Sequence, residues 1–135
     1  MNPSETDIVV EVSRGDFVKR RADGTADYTS PLPAPFNYGS IPGTLAPDGD
    51  AADAVLLGPR RRRGETVRAT VYGVVHLLDD GRPDDKLVCA SRPPSRAAWL
   101  LVQAFFRVWV VAKRARAIAR GARGPTRFLS LETTA

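Results

Sequence analysis

The sequence predicts a mainly β fold, a small barrel, with one long helix near the C-terminus. Short β-branched or apolar runs alternate with turn signals such as Gly58-Pro59 and Asp80-Gly81, a pattern typical of small barrels. After Ser95, apolar residues recur at three- and four-residue spacing, which predicts a helix. We expect a single domain over residues 1–135, because this length is ordinary for one domain.

The first predicted strands surround a hairpin turn. Ile8–Val12 is β-branched and apolar apart from Glu11, which predicts a strand with one inward carboxylate; an exposed glutamate is the alternative. Phe17–Arg21 predicts a second strand. Ala26–Tyr28 is expected to pair back to it across Asp23-Gly24, a common hairpin turn.

A proline-rich segment comes next. Ser30 to Pro47 contains five prolines, and this density excludes a helix. We expect an extended, rigid loop that places Asn37 and Tyr38. Ala54–Leu57 then predicts a short buried strand, which Gly58-Pro59 ends.

The remaining strands are predicted to form another hairpin. Thr66–Leu78 is rich in valine and partly alternating, consistent with a long strand bent at Gly73. Leu87–Ala90 is expected to pair with it across an acidic turn. The run Arg60–Arg63 predicts a solvated turn, with a polyanion contact as the alternative. The single histidine, His76, is expected to be structural.

The helical run has clear boundaries. Ser95 has the character of an N-cap, and Gly121 and Gly124 are expected to end the helix. The apolar part, Ala97–Ala112, has sixteen residues with two polar breaks, which is short against the ~20 residues of a membrane span. The sequence therefore predicts a helix that packs on the core.

Three carboxylates are concentrated in one predicted loop. Asp48, Asp50 and Asp53 occur within six residues, with only glycine and alanine between them. Carboxylates this close repel each other unless a cation neutralises them. Hard divalent cations such as Mg2+ prefer oxygen ligands of this kind. A metal site is one interpretation, and a solvated acidic turn is the other.

A second acidic turn favours the metal interpretation. It contains four carboxylates and a lysine: Asp79, Asp80, Asp84, Asp85 and Lys86. Two such turns on one small domain can face each other and hold more than one metal. Paired metals are a recurrent arrangement for phosphoryl chemistry.

Charge is distributed unevenly along the chain. The formal net charge is +5, yet eight of the fifteen acidic residues lie between residues 48 and 85. From Arg92 onward there are nine basic residues and one acid. An acidic metal site beside cations suits a small polyanion, whereas a basic tail alone would equally suit nucleic acid or an anionic membrane.

Two further features concern the cellular environment. Cys89 lies in an apolar run and is expected to be a buried small hydrophobe. The segment Met1–Asp7 is polar and acidic, unlike a signal peptide. We therefore expect a cytoplasmic protein.

Taken in order, these residues resemble the family I inorganic pyrophosphatases, the soluble, Mg-dependent class. The resemblance covers about residues 8–90. It rests on Glu11, Lys19, Asn37-Tyr38-Gly39, the triplet Asp48, Asp50 and Asp53, and the group Asp79, Asp84 and Lys86. It implies an OB-like five-stranded β-barrel with the long helix packed alongside and a final short strand around Phe128 and Leu129.

The resemblance also implies an activity: hydrolysis of pyrophosphate to two phosphates by a metal-activated water, with several Mg2+ per site. It implies that five carboxylates hold the metals, namely Glu11, Asp48, Asp53, Asp79 and Asp84. Asp50 would orient or deprotonate the attacking water. Three residues would bind phosphate oxygens: Lys19, Tyr38 and Lys86. We also expect a homo-oligomer.

Two phosphate-binding features of that family are missing here. The strand arginine is replaced by Tyr28, and Arg20-Arg21 on the neighbouring strand are the candidate substitutes. The helix Tyr-Lys pair is replaced by Trp109-Val110. Lys113 lies one helical turn further on and is the candidate phosphate ligand there; a solvated charge at the helix end, favoured by the helix dipole, is the alternative.

Two other functions stay open. The missing cations would also suit a weakened relative that binds phosphate or pyrophosphate without turnover. A basic module could bind nucleic acid or a membrane surface through Arg60–Arg63 and the helix. No aromatic-rich strand is interleaved with basic residues, as stacking on bases requires, so we do not expect nucleic acid as partner. We expect no membrane partner either.

Overall fold

The computed structural model describes residues 4–20, 25–29, 33–46, 49–121 and 124–133. The predicted turn Asp23-Gly24, the candidate substitute Arg21 and the predicted metal ligand Asp48 lie outside these residues. The described elements are β1 (Glu5–Val12), β2 (Val18–Arg20), β3 (Ala26–Thr29), β4 (Asn37–Ile41), β5 (Ala52–Leu56), β6 (Thr66–Asp79), β7 (Arg82–Pro83), β8 (Lys86–Ala90), α1 (Arg96–Ala119) and β9 (Arg127–Thr133).

Five strands form a closed ring. Strand β1 pairs with β4, β4 with β5, β5 with β8, β8 with β6, and β6 with β1. The β5–β8 pairing is parallel, and the other four are antiparallel. Strands β7 and β9 extend the ring at β6, while β2 and β3 form a separate hairpin. The expected mainly β fold with five central strands and one long helix is confirmed.

Several local predictions are confirmed. Lys19 pairs with Tyr28 in the β2–β3 hairpin. The long strand β6 is irregular between Val71 and Gly73, where a bend was expected. The chain after Gly124 forms β9, which includes Phe128.

The expected loop at Asn37 and Tyr38 is wrong in detail, because both residues lie in strand β4. Its residues alternate between buried and half-buried. Pro35 and Pro42 flank the strand, so they exclude a helix without removing a ladder hydrogen bond from it. Gly39 is required inside the strand, since a Cβ there would overlap the carbonyl oxygen of Val9 in β1.

The core has two parts, one on each face of the ring strands. Along β5, Val55 belongs to one cluster and Ala54 and Leu56 to the other, as the period of two in a strand requires. Helix α1 supplies Val102, Phe106 and Val110 to the Val55 cluster. Phe36 packs there too, with its ring centroid 5.0 Å from Phe105 and 5.9 Å from Phe106. Cys89 is buried in the second cluster, as predicted, and burial raises the pKa of its thiol to about 12.

Helix α1 begins and ends where the sequence predicts. The Oγ of Ser95 accepts a hydrogen bond from the Ala98 amide at 3.1 Å, and Gly121 follows the last turn with φ of 77°. The outward face carries exposed apolar side chains, including Leu100, Val111 and Ile118 at 60%, 61% and 69% exposure. Within the described residues, no helix combines the length and apolar character needed to cross a membrane.

Candidate active site

A cleft of about 640 Å³ lies between the ring and helix α1. It is lined by carboxylates, cations and aromatic rings in similar proportion. Six of the residues predicted to form the site line it: Tyr38, Asp53, Asp79, Asp84, Lys86 and Lys113. These residues come from β4, β5, the end of β6, the acidic turn, β8 and α1, so the fold brings together positions far apart in the sequence.

Lys86 is the most buried charge of the cleft, with 3% of its surface exposed. Its Nζ donates to Asp53 Oδ2 at 2.7 Å and to Asp84 Oδ1 at 2.8 Å. The first contact follows from the parallel register, which pairs Asp53 with Lys86. Burial alone would lower the pKa of Lys86, but interactions with Tyr38, Asp53 and Asp84 outweigh it, and the pKa is raised well above its ordinary value. The side chain is therefore cationic.

Lys113 occupies the helix side of the cleft. Its Nζ donates to Asp79 Oδ2 at 2.9 Å. The ring of Trp109 lies 4.8 Å from this Nζ and 5.4 Å from the Nζ of Lys86, within the range of a cation–π contact. Trp109 therefore contacts the ammonium groups of both lysines.

Tyr38 faces the same cations. Its ring centroid lies 5.5 Å from Lys86 Nζ. Burial raises the pKa of Tyr38 far above its ordinary value, the charges of Asp53 and Asp84 raise it further, and Lys86 opposes them. The phenol therefore stays protonated near neutral pH and retains a hydrogen that it can donate.

Of the predicted site residues whose side chains the structure describes, Glu11 and Asp50 do not line the cleft. Glu11 lies on β1 with its Oε1 atom buried. Asp50 is exposed in the turn before β5. Asp48 lies outside the described residues, and of Lys19 only the backbone position in β2 is described. The roles predicted for all ten site residues, inside and outside the cleft, stay predictions.

Asn37 has a structural role that the sequence did not reveal. It is fully buried, and its Oδ1 accepts from the amides of Arg14 and Arg61 at 3.0 and 2.8 Å. Its Nδ2 donates to the carbonyls of Leu56 and Pro59 at 3.3 and 2.9 Å. Asn37 thus joins three segments of backbone directly beside Tyr38. Buried polar groups are normally satisfied in this way.

Among the lining residues that sequence reasoning missed are three arginines: Arg82, Arg116 and Arg120. The helical period could have identified two of them, because Arg116 and Arg120 lie three and seven residues after Lys113 and share its side of the helix. The run Arg60–Arg63 behaves as predicted for a solvated turn, since Arg60 pairs with Asp16 at 3.2 Å and Arg61 with Glu65 at 3.3 Å.

The carboxylate oxygens of the cleft are chemically suited to bind a hard cation. In the part of the chain that is described, no three His, Cys, Asp or Glu side chains converge on one metal position. However, Asp53 and Asp84 already share a single cationic group, the ammonium of Lys86, so they lie close enough to bind one cation together. Mg2+ typically binds one or two carboxylates and keeps several waters, and these residues suit that mode.

Comparison with known proteins identifies the fold and the family. The inorganic pyrophosphatase family model matches residues 5–99. The chain is 35% identical to the inorganic pyrophosphatase of Gluconobacter oxydans over 95 residues, which cover 64% of this chain and 55% of that protein. It is 36% identical to a soluble inorganic pyrophosphatase of Oryza sativa over 104 residues, which cover 70% and 49%.

Solved structures agree over more of the chain. The inorganic pyrophosphatase from Thermus thermophilus superimposes with a TM-score of 0.78 at 22% identity, covering 97% of this chain and 83% of that one. The enzyme from Neisseria gonorrhoeae gives a TM-score of 0.70 at 26% identity, covering 94% and 81%. The chain spans about half the length of the curated relatives it matches. Because the family model covers most of the sequence, the chain belongs to the inorganic pyrophosphatase family.

Proposed function

We propose that this protein hydrolyses inorganic pyrophosphate to two phosphates in a Mg2+-dependent reaction in the cleft. One observation carries the proposal: one carboxylate from each acidic segment, Asp53 and Asp84, meets Lys86 and Tyr38 in one partly buried group. Carboxylates supply the ligands for hard cations, and the lysine and phenol supply donors for a phosphate anion. Membership of the family supports the same reaction.

The carboxylates of the cleft would hold the metals. Asp53 and Asp84 would bind first, together with Asp48, and Glu11 and Asp79 would bind the ions that accompany substrate. Bound Mg2+ neutralises charge on the substrate and lowers the pKa of its bound water. Asp50 would orient the attacking water or take its proton.

The cations would stabilise the charge that develops on phosphate oxygens. Lys86 is suited to this role because its pKa is raised and its side chain is held among Tyr38, Trp109 and two carboxylates. Such preorganised charges act strongly where water is excluded. Tyr38 would donate its hydroxyl hydrogen, Lys113 would bind from the helix side, and Lys19 would bind from β2.

We also propose a cytoplasmic location and a homo-oligomer. Relatives named soluble inorganic pyrophosphatases support the cytoplasmic location.

The exposed apolar face of α1 supports the homo-oligomer, because large exposed apolar patches commonly mark association surfaces. Leu100, Val111 and Ile118 would lie at the contact. Sedimentation at two protein concentrations tests the homo-oligomer, and a monomer at both concentrations would contradict it.

The test of the activity is phosphate release from pyrophosphate, measured with Mg2+ and with an excess of chelator. We expect release with Mg2+ and its loss with chelator. Calorimetric titration with pyrophosphate provides the second measurement. Binding without release would favour the weakened relative, and the absence of both would contradict the proposed function. A wild-type sample that melts cooperatively serves as the control for folding.

A further inference from the structure

The acidic turn after β6 has little backbone support within its own hairpin. Asp80 and Gly81 form the two-residue turn, and both have a positive φ, 52° and 80°, as in a tight hairpin. Strand β7 follows with two residues, and one of them, Pro83, has no amide hydrogen to donate. Two residue pairs join β6 to β7. The turn therefore needs contacts from outside the hairpin to hold Asp79 in place.

Gly124, Pro125 and Thr126, the support segment, lie directly before β9 and contact this turn. The Oγ1 of Thr126 accepts a hydrogen bond from the Asp80 amide at 3.0 Å, and the Pro125 carbonyl accepts from the Gly81 amide at 2.7 Å. In the opposite direction, the Gly124 amide donates to Asp80 Oδ1 at 2.7 Å. A Cβ at Gly124 would overlap the carbonyl group of Asp80, so glycine is required for this close approach.

Helix α1 holds the support segment in turn. The Nε and Nη2 of Arg114 donate to the Thr126 carbonyl oxygen at 3.1 and 2.9 Å. The neighbouring helix residue, Lys113, pairs with Asp79 at 2.9 Å. The acidic turn is therefore bound to the end of the helix by two routes, a direct ion pair and a chain of hydrogen bonds through the support segment.

Thr126 is the central residue of this chain of hydrogen bonds, and it lies away from the cleft. It is 4% exposed and is not among the residues that line the cleft. A buried hydroxyl is normally hydrogen-bonded, and the contact recorded for its Oγ1 is with the turn. The hydroxyl of Thr126 therefore acts on the backbone of the turn and does not touch a ligand in the cleft.

We propose that Thr126 is a positioning residue of the cleft, which holds Asp79 opposite Lys113 through its hydrogen bond to the Asp80 amide. The inference rests on the proposed function, because Asp79 is assigned there to the ions that accompany substrate. Asp79 directly precedes the amide that Thr126 binds, so a shift of the turn moves its carboxylate. Displacement of such a group by about 1 Å is costly to a reaction that depends on orientation.

The test compares Thr126→Val and Thr126→Ser with wild type. Valine has the shape of threonine without the hydroxyl, whereas serine keeps the hydroxyl and lacks the methyl group. Thr66→Val is the matched control, because it makes the same change at an exposed position outside the cleft, at the opposite end of β6. Amide hydrogen exchange of Asp80 is measured by NMR, KM and kcat for magnesium pyrophosphate by steady-state kinetics, and folding by the melting temperature.

In Thr126→Val, we expect the Asp80 amide to exchange about tenfold faster, the scale of one lost hydrogen bond. The KM for magnesium pyrophosphate should rise several-fold with a smaller change in kcat, because the displaced carboxylate belongs to the ions that arrive with substrate. Thr126→Ser should return both values towards wild type, and Thr66→Val should match wild type. A purely structural role would lower the melting temperature of Thr126→Val without changing the KM of the folded protein.

Wild-type exchange of the Asp80 amide in Thr126→Val would overturn the positioning role, and so would a KM equal to that of Thr66→Val. Equal impairment of Thr126→Ser and Thr126→Val would assign the effect to packing and overturn it as well. Failure of the proposed function is a different result, namely the absence of phosphate release by wild type with Mg2+. The exchange comparison needs no turnover, so it tests the support of the turn in either case.

Discussion

Lys113 and Asp79 form an ion pair, with Nζ 2.9 Å from Oδ2, that joins helix α1 to the end of strand β6. Both side chains are partly shielded, at 25% and 33% exposure. The pair connects the helix that the sequence predicts to pack on the core with the acidic turn that follows β6. A cation on the helix therefore faces a predicted metal ligand across the cleft.

We expect Lys113→Ala to raise the KM for magnesium pyrophosphate several-fold with a smaller effect on kcat, because a phosphate contact and the partner of Asp79 are both removed. Steady-state kinetics measure the effect. Arg116 is unsuitable as the control, since it lines the same cleft. Arg96→Ala, at the exposed start of the helix, is the better choice. Identical KM values for the two variants would place Lys113 outside the phosphate site.

Mg2+ is expected to raise the melting temperature, because it binds the folded carboxylate cluster and not the unfolded chain. At a concentration about 100 times the Kd, the stabilisation is about 2.7 kcal/mol. Asp53→Asn should reduce this shift, whereas Asp7→Asn, in an exposed ion pair with Arg68, should retain it. A melting temperature insensitive to millimolar Mg2+ would contradict the metal site.

Asp50→Asn is expected to lower turnover by about 100-fold or more, the scale of a lost general base. The Mg2+-dependent shift in melting temperature should remain largely intact, which separates the role of Asp50 from that of Asp53. Asp50 is exposed and does not line the cleft, so this variant is a demanding test of Asp50 as the general base. Full turnover in Asp50→Asn would assign the base elsewhere.

Asn37→Leu is expected to destabilise the fold by about 2 kcal/mol or more, because the partly buried amides of Arg14 and Arg61 would lose their acceptor and the Leu56 and Pro59 carbonyls their donor. Asn37→Asp should also destabilise the fold, because it keeps the Oδ1 acceptor but places a buried carboxylate oxygen against the Leu56 and Pro59 carbonyls, which need a donor. Chemical denaturation gives the free energies of unfolding. Wild-type stability in Asn37→Leu would contradict the structural role.

His76 is expected to give stability a pH dependence. Its Nε2 lies 2.9 Å from Glu132 Oε2 and its Nδ1 lies 3.1 Å from Asp85 Oδ1. The contact with Glu132 raises the pKa of His76, burial opposes it, and the contact with Asp85 adds to the increase. A raised folded-state pKa stabilises the protein below the unfolded value of about 6.5, and this contribution is lost as the pH rises through the folded value.

The measurement for His76 has two parts. As the single histidine, it gives one set of imidazole ring signals in NMR, whose titration midpoint should lie above about 6.5. The free energy of unfolding of wild type relative to His76→Gln should be largest below that pH and decrease above the midpoint. A midpoint at or below the ordinary value would show that the two carboxylates do not stabilise the charged ring.

Local signals predicted much of the fold. The Ser95 cap, the Gly121 end and the valine-rich strand β6 were predictable because each depends on neighbours in the sequence. Strand β4 was not predictable in this way. The flanking prolines indicate a loop, and the strand depends on its pairing with β1 and β5. Asn37 likewise depends on backbone groups that only the tertiary fold brings near.

The candidate site was predictable as a set of residues but not as an arrangement. The spacing of aspartates pointed to a common site, whereas the contact of Lys86 with Asp53 depends on the parallel register of β5 and β8. That register joins segments more than thirty residues apart, and no local pattern specifies it. The arginines of the helix end were missed because their direction depends on how α1 packs on the ring.

The position of Trp109 allows its fluorescence to report on ligand binding in the cleft. Its ring lies within 5.4 Å of two ammonium groups, and the fluorescence of an indole responds to nearby charge. The chain has one other tryptophan, Trp99, which packs beside Gly73 and does not line the cleft. When an anion draws either lysine away from the ring, the emission of Trp109 should change while that of Trp99 stays constant. Occupancy of the cleft can therefore be followed in the unlabelled protein, on the timescale of mixing.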